Sequence, residues 1–226
     1  MTPRLIEVRA NILKENDVLA RQLRERFQQA GVSVVSFVSS PGSGKTTFLE
    51  KLISRLAAHH RIAALVGDLA TENDAARLRR ACSQVRQITT GTVCHLDAKM
   101  IAASIADWDL QALDFLFIEN VGNLVCPASY DLGEQMRVVL LSATEGEDKP
   151  LKYPTIFNTA DVAMITKIDL AAAAEFDNAA ARHNIFSVRP GMAILEVSAK
   201  TGAGMDGAEA LFASLRTTNP SDSASM

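Results

Sequence analysis

Long apolar runs are missing from this 226-residue sequence. No stretch approaches the ~20 residues a helix needs to cross a bilayer, and the N-terminus carries no signal-peptide core. Membrane insertion is therefore not expected, and a cytoplasmic location is. Excess positive charge is missing too. Lys and Arg number 23 against 26 Asp and Glu, a formal net charge of −3, which speaks against nucleic-acid binding driven by bulk charge. Cysteine is scarce: Cys82, Cys94 and Cys126 are the three present. An odd number without framework spacing favours reduced thiols or a metal site over disulfide bridges. What is present is a chain with 48% hydrophobic residues, long enough to bury a substantial core. Its repeated strand–helix pattern favours one α/β domain.

The organising stretch is Ser39-Ser40-Pro41-Gly42-Ser43-Gly44-Lys45-Thr46-Thr47. Val34, Val35, Phe37 and Val38 before it read as a buried strand, and Phe48 to Leu56 after it has helical spacing. Strand, glycine loop and helix are the setting of a phosphate-binding loop. Gly42 and Gly44 let backbone N–H groups turn toward phosphate oxygens, and the helix opening near Lys45 adds its positive end. Lys45 is placed to reach the β- and γ-phosphates, and the Thr46 hydroxyl to ligate Mg²⁺. The general pattern would begin with glycine at position 39, where this chain has Ser39. That residue must hold a negative φ or accept strain.

The remaining parts fall in order around that loop. Residues 3–29 read as one or two amphipathic helices stopped at Gly31, an N-terminal extension (1–31) ahead of a nucleotide-binding domain (32–216). A Ser/Asn/Pro-rich tail (217–226) is expected to be disordered. A second strand ends at Asp68, with a helix from Asn73 to Cys82 capped by Thr71 or Asn73. Ligands of open α/β sheets bind outside the carboxyl ends of strands, so Asp68 reads as a Mg²⁺ candidate, or else as a turn aspartate. Strands follow over 85–91, 113–121 and 137–144. Glu119-Asn120-Val121-Gly122 stands where P-loop GTPases carry Asp-x-x-Gly, so Glu119 can hold Mg²⁺ or its water and Gly122 can sense the γ-phosphate. The polar loop from Glu145 to Pro154 reads as solvated surface, with Lys149 and Lys152 placed to contact a nucleotide held by a neighbouring subunit. A sixth strand runs into Thr166-Lys167-Ile168-Asp169, an Asn/Thr-Lys-x-Asp guanine-reading pattern. The Asp169 carboxylate can accept from both N1–H and the 2-amino group of guanine, and Lys167 can lay its methylenes along the base. Ser198-Ala199-Lys200 follows a seventh strand as a second base-contacting loop, and the two motifs together favour GTP/GDP over adenine nucleotides. A last helix runs from Asp206 to Leu215.

Cys94 with His95, and Cys126 within Asn123-Leu124-Val125-Cys126-Pro127, stand on loops after strands that look like neighbours. Thiolate and imidazole suit Ni²⁺ or Zn²⁺ and not Mg²⁺. Adjacent strand residues face opposite ways, so Cys94 and His95 share an ion only where the chain has left the strand. Buried structural cysteines and a helix-capping histidine fit the same residues. Cys82, His59, His60 and His183 lack companions at ligand spacing.

Together these motifs, spanning positions 39 to 169 and including Gly67-Asp68, Cys94-His95-Leu96-Asp97-Ala98, Glu119 to Pro127 and Thr144 to Pro154, closely resemble the HypB family. Its members are hydrogenase-maturation, nickel-delivery P-loop GTPases of the SIMIBI class. The resemblance implies a P-loop NTPase fold with a mostly parallel sheet flanked by helices. It implies Ni²⁺ or Zn²⁺ on Cys94, His95 and Cys126 at the interface of a GTP-promoted homodimer. It also implies work with a HypA-type accessory protein to load a NiFe-hydrogenase large subunit. Ser39 agrees with this family. Residues 1–38 hold no Cys or His, so N-terminal nickel storage is not expected. No arginine finger or water-orienting glutamine is evident, so slow intrinsic GTP hydrolysis is expected. The rival readings are a urease-type nickel-chaperone GTPase, whose metal motif is usually Cys-Pro-His, and a nucleotide-gated metal module in which hydrolysis is incidental.

Overall fold

The computed structural model describes residues 3–69 and 73–217. Its seven strands are β1 (Ser33–Ser39), β2 (Ile62–Asp68), β3 (Gln84–Thr89), β4 (Phe115–Glu119), β5 (Met136–Ser142), β6 (Val162–Thr166) and β7 (Ala193–Val197). They form one sheet in the order β3-β2-β4-β1-β5-β6-β7, and every pairing is parallel. Parallel neighbours need crossovers, and helices make most of them: α1 (Pro3–Ala30) leads in, followed by α2 (Lys45–Leu56), α3 (Asn73–Leu78), α4 (Ala98–Ser104), α5 (Lys149–Lys152), α6 (Pro154–Thr159), α7 (Asn178–Val188) and α8 (Met205–Thr217). The mostly parallel α/β sheet expected from sequence is thus parallel throughout.

Both faces of the sheet are covered, which explains why β1 is buried at all seven positions. Val35 and Phe37 point into one core with Phe48, Leu49, Leu52 and Ile53 of α2 and Phe212 of α8. Phe37, Phe48, Phe117 and Phe212 meet there as a ring cluster. Val34 faces α1 and α4, and Val38 faces α6 and α7. A buried side chain of this size contributes roughly 1.5–3 kcal/mol. Because β1 has β4 on one side and β5 on the other, the chain's winding reverses at β1. The crevice outside its carboxyl end is the topological place for a ligand.

The N-terminal segment is one long helix ended by Gly31 at φ 69°. Its buried stripe is Asn16, Ala20, Leu23 and Phe27, whereas the apolar side chains of Ile12 and Val18 lie about half exposed. A glycine is required at Gly133, where a Cβ would stand 2.8 Å from the Ala20 carbonyl and the Leu23 Cβ of α1. Arg24 closes the contact on Asp131 at 2.6 Å.

Three sequence expectations change. The helix from Asn73 stops at Leu78, because Arg80 and Ala81 donate to carbonyls three residues back and tighten the chain into turns that feed β3. The polar stretch after Glu145 is not all loop: Pro150 and Pro154 sit in the first turns of α5 and α6, where their missing N–H groups cost nothing. Finally, β3 and β4, whose following loops carry the cysteines, are separated by β2. The candidate cap Thr71 and the tail from 218 lie outside the described residues.

Candidate functional site

The loop after β1 builds a cavity of about 480 Å³ at the carboxyl edge, lined by residues 41–47 together with Asp68, Glu119 and Gly122. Gly42 (φ 75°) and Gly44 (φ 92°) take left-handed conformations that side chains disfavour. Ser39 does not: it ends β1, and among the described residues only Lys167 and Glu175 combine a side chain with positive φ. Ser39 also has a use, since its hydroxyl accepts from Lys45 Nζ at 2.8 Å. Gly122 packs against the loop so closely that a Cβ would come within 2.9 Å of Pro41 Cα.

The charges in this cavity are held at a cost. Lys45 is 8% exposed and Glu119 3%. Burial pushes the Lys45 amine down, opposed by Glu119, Asp74 and Glu145. Burial pushes the Glu119 carboxyl up to about 7, opposed by Lys45 and by the Thr46 hydroxyl, which donates to Glu119 Oε1 at 2.6 Å. Among the described residues Glu119 Oε2 is buried with no hydrogen-bond partner. Both groups are driven toward neutrality, and an anion beside Lys45 with a divalent cation beside Glu119 would reverse both shifts. The donor set of Thr46 hydroxyl and carboxylate oxygens suits Mg²⁺. A folded-state pKa raised above the ordinary 4.5 means the native state holds the proton longer. Nucleotide-free protein should therefore lose stability as pH rises from about 4.5 to about 7 and level off above. Thermal melts across that range should show the slope, and Glu119→Gln should flatten it.

Asp68 closes β2 and lines the same cavity, with its carboxylate accepting from the Leu69 N–H at 2.6 Å. The turn role and the cation role are thus compatible. Sequence reasoning missed Asp74 and Arg77, one turn apart on α3, which also line it. Arg77 is held there by Thr47 and Glu50, each at 2.9 Å. The signal available was their spacing in a helix that starts just past a strand-ending acid.

A second cavity of about 200 Å³ adjoins the first, lined by Gly44, Thr47, Thr166, Lys167, Asp169, Ala199 and Lys200. Ser198 donates to Asp169 Oδ1 at 2.6 Å. Thr166 Oγ1 donates to Ser43 O and Lys167 Nζ to Gly42 O, each at 2.7 Å, so the loop after β6 is fastened to the glycine loop after β1. Ser43 Oγ in turn stands 2.6 Å from Glu145 Oε1. Lys149 and Lys152 line neither cavity. Lys152 pairs with Asp148, and Lys149 lies over the Tyr153 ring.

The loops after β3 and β4 converge across β2. One ligand atom each from Cys94, His95 and Cys126 lies within 4.8 Å of the others, and the two sulfurs are 2.8 Å apart. Thiolates sharing a tetrahedral Zn²⁺ at ~2.3 Å bonds stand roughly 3.8 Å apart, so the two sulfurs would have to spread to hold one. The turn after Gly91 (φ 63°) takes the chain off the strand, as sharing between Cys94 and His95 requires. His95 stacks on Tyr130 at 3.8 Å, and among the described residues its buried Nδ1 has no hydrogen-bond partner. Burial pushes the imidazole below its ordinary pKa, against the pull of Asp97, which favours the neutral, ligating form. Asn16 of α1 braces both loops, accepting from Ala98 N–H and donating to the Asp131 carbonyl, each at 2.9 Å. Nothing in the sequence pattern of α1 pointed to that role. Cys82 is separate: it contacts the Gln84 carbonyl, and burial pushes its thiol up to about 11.

The sequence model of the CobW/HypB/UreG nucleotide-binding domain matches residues 33–196. The hydrogenase maturation factor HypB of Rhizobium leguminosarum bv. viciae is 47% identical over 203 residues, covering 90% of this chain and 68% of that relative. The crystal structure of HypB from Helicobacter pylori in complex with nickel superposes with a TM-score of 0.85 at 41% identity, covering 91% of this chain and 96% of that one. HypB from Archaeoglobus fulgidus superposes with a TM-score of 0.84 at 37% identity, covering 90% and 99%. The chain spans about two thirds of the length of the Rhizobium leguminosarum relative and of two further curated bacterial HypB relatives. Among the described residues no helix is long and apolar enough to cross a membrane.

Proposed function

The chain belongs to the CobW/HypB/UreG family of nucleotide-binding domains, and from that membership we propose that it is a GTP-hydrolysing nickel switch for hydrogenase maturation. Lys45, Thr46, Asp68 and Glu119 hold the phosphates and Mg²⁺. The backbone of Gly42, Ser43, Gly44 and Thr47 cradles the phosphates, and Gly122 senses the terminal one. Thr166, Lys167, Asp169, Ser198, Ala199 and Lys200 select guanine. Cys94, His95 and Cys126 take Ni²⁺ or Zn²⁺ as cargo.

The observation that carries the reading is the gathering of two cysteines and a histidine on loops that touch the segment after Glu119. A metal held there feels the nucleotide. GTP binding draws the segments around Asp68 and Glu119 inward and pairs two subunits, and hydrolysis releases them. Val125, beside Cys126, is 62% exposed and Leu69, beside Asp68, is 43% exposed, which supports burial of this edge against a second copy. Lys149 and Lys152, bound to no nucleotide pocket of their own chain, then reach the partner's phosphates. A HypA-type accessory protein and a NiFe-hydrogenase large subunit are the proposed source and destination of the ion, in the cytoplasm. Residues 32–216 form the switch domain and 1–31 its helical extension.

Titration of Ni²⁺ and Zn²⁺ against GDP-bound and GTPγS-bound protein, with mass followed in the same samples, tests this. Metal affinity should differ about 5-fold or more between the two states. The mass should double with GTPγS, and Cys126→Ala should abolish the metal response. Equal affinities on a constant monomer would sink the switch.

A further inference from the structure

We propose that Asn120 is the positioning residue that transmits nucleotide state to the metal loop, acting through the backbone of Leu96. This rests on the nucleotide-gated reading above and names its route. Asn120 is 2% exposed and Leu96 is fully buried. The Asn120 side-chain oxygen accepts two N–H groups, from Leu96 at 3.1 Å and from Val121 at 2.9 Å. One acceptor therefore joins two segments. Val121 leads to Gly122, which lies against Pro41 of the phosphate loop, and Leu96 directly follows the ligand His95. The Asn120 backbone is itself anchored, its N–H donating to the Phe37 carbonyl of β1 at 3.0 Å.

The Leu96 side chain meets the other acid-bearing strand end. A Cβ on Gly67, the residue before Asp68, would lie 2.8 Å from a Leu96 carbon, so Gly67 is the socket that lets Leu96 seat. Leu96 thus touches the ends of β2 and β4 at once, and both supply the carboxylates placed around Mg²⁺. A buried amide is costly to leave unpaired, and packed interiors deform in discrete steps rather than continuously. When the segment after Glu119 shifts, the shared acceptor requires Leu96, and with it Cys94 and His95, to shift too. Asn123 adds a second tie from the same segment, donating to the Cys94 carbonyl at 3.3 Å.

The test measures Zn²⁺ and Ni²⁺ affinities separately, with GDP·Mg²⁺ and with GTPγS·Mg²⁺, in wild type, Asn120→Ala and Asn120→Asp. A merely structural role would weaken metal binding by the same factor in both nucleotide states. The route instead predicts that a wild-type ratio of about 5-fold or more falls to within about 2-fold of unity in Asn120→Ala. Asn120→Asp, which keeps the acceptor, should return the ratio toward wild type. A ratio preserved in Asn120→Ala overturns the route and leaves the nucleotide-gated reading standing. A ratio of one in wild type removes that reading itself. Should Asn120→Ala fail to fold, hydrogen exchange at the Leu96 amide of wild type decides: protection should change about tenfold between nucleotide states, and equal protection overturns the route.

Discussion

A Lys45→Ala variant is expected to hydrolyse GTP about 10²–10³-fold more slowly than wild type. Lys45 is 8% exposed and its amine is already fixed against Ser39 Oγ, so it would meet developing phosphate charge without reorganising and with little water to screen it. Phosphate release under single-turnover conditions is the measurement. A rate within about tenfold of wild type would remove Lys45 from the chemistry. Unfolding is separable from this loss. Burial holds the amine below its ordinary pKa, so its removal relieves a cost in nucleotide-free protein, and the melting temperature should not fall in proportion to activity. The same variant divides two readings of the whole molecule. Metal transfer to a chelating acceptor that continues unchanged would mean hydrolysis is incidental to delivery.

Asp169→Asn is expected to weaken GTP binding about 10²-fold, close to 3 kcal/mol, because two hydrogen bonds to a charged acceptor are replaced by a mismatched amide. Xanthosine triphosphate, with an oxygen where guanine has its 2-amino group, should bind the variant better than GTP does, since asparagine can donate to that oxygen. Competition between the two nucleotides reads the exchange directly. Ser198 should still hold the residue at position 169, because either side chain presents an oxygen where Asp169 now accepts at 2.6 Å. If GTP remains preferred over the xanthine nucleotide, Asp169 does not read the base edge.

How much of this was legible in advance follows from the range of each interaction. Gly42, Gly44, Lys45 and Thr46 could be read because a phosphate loop is local: backbone conformation and chemistry lie within a few residues of one another. The strands ending at Asp68 and Glu119 were legible from their apolar runs. The helix of α7 was not, since its Ala-rich stretch has little periodicity and only Ala181 and Ile185 are buried. Strand order was hidden as well, so the cysteine loops looked adjacent when β2 lies between their strands. Residues acting across the fold left no pattern at all. Asn16 reaches Ala98 and Asp131, and Glu145 reaches Ser43, over separations that only tertiary structure closes. Asn120 was within a recognised motif, yet its task belongs to Leu96, on another loop.

The position of β1 between β4 and β5 also sets a timetable for synthesis. A ribosome releases the whole phosphate loop early, but β1 gains its first sheet neighbour only when β4 emerges and its second only with β5. Until then a strand buried at every position in the finished protein has both edges open. Parallel pairings between distant segments form slowly and leave nascent chains prone to aggregate. A fragment ending before Met136 should accordingly be insoluble rather than a small nucleotide binder. Newborn chains should gain a nucleotide site only after β5 has been translated, with β1 exposed to other chains until then.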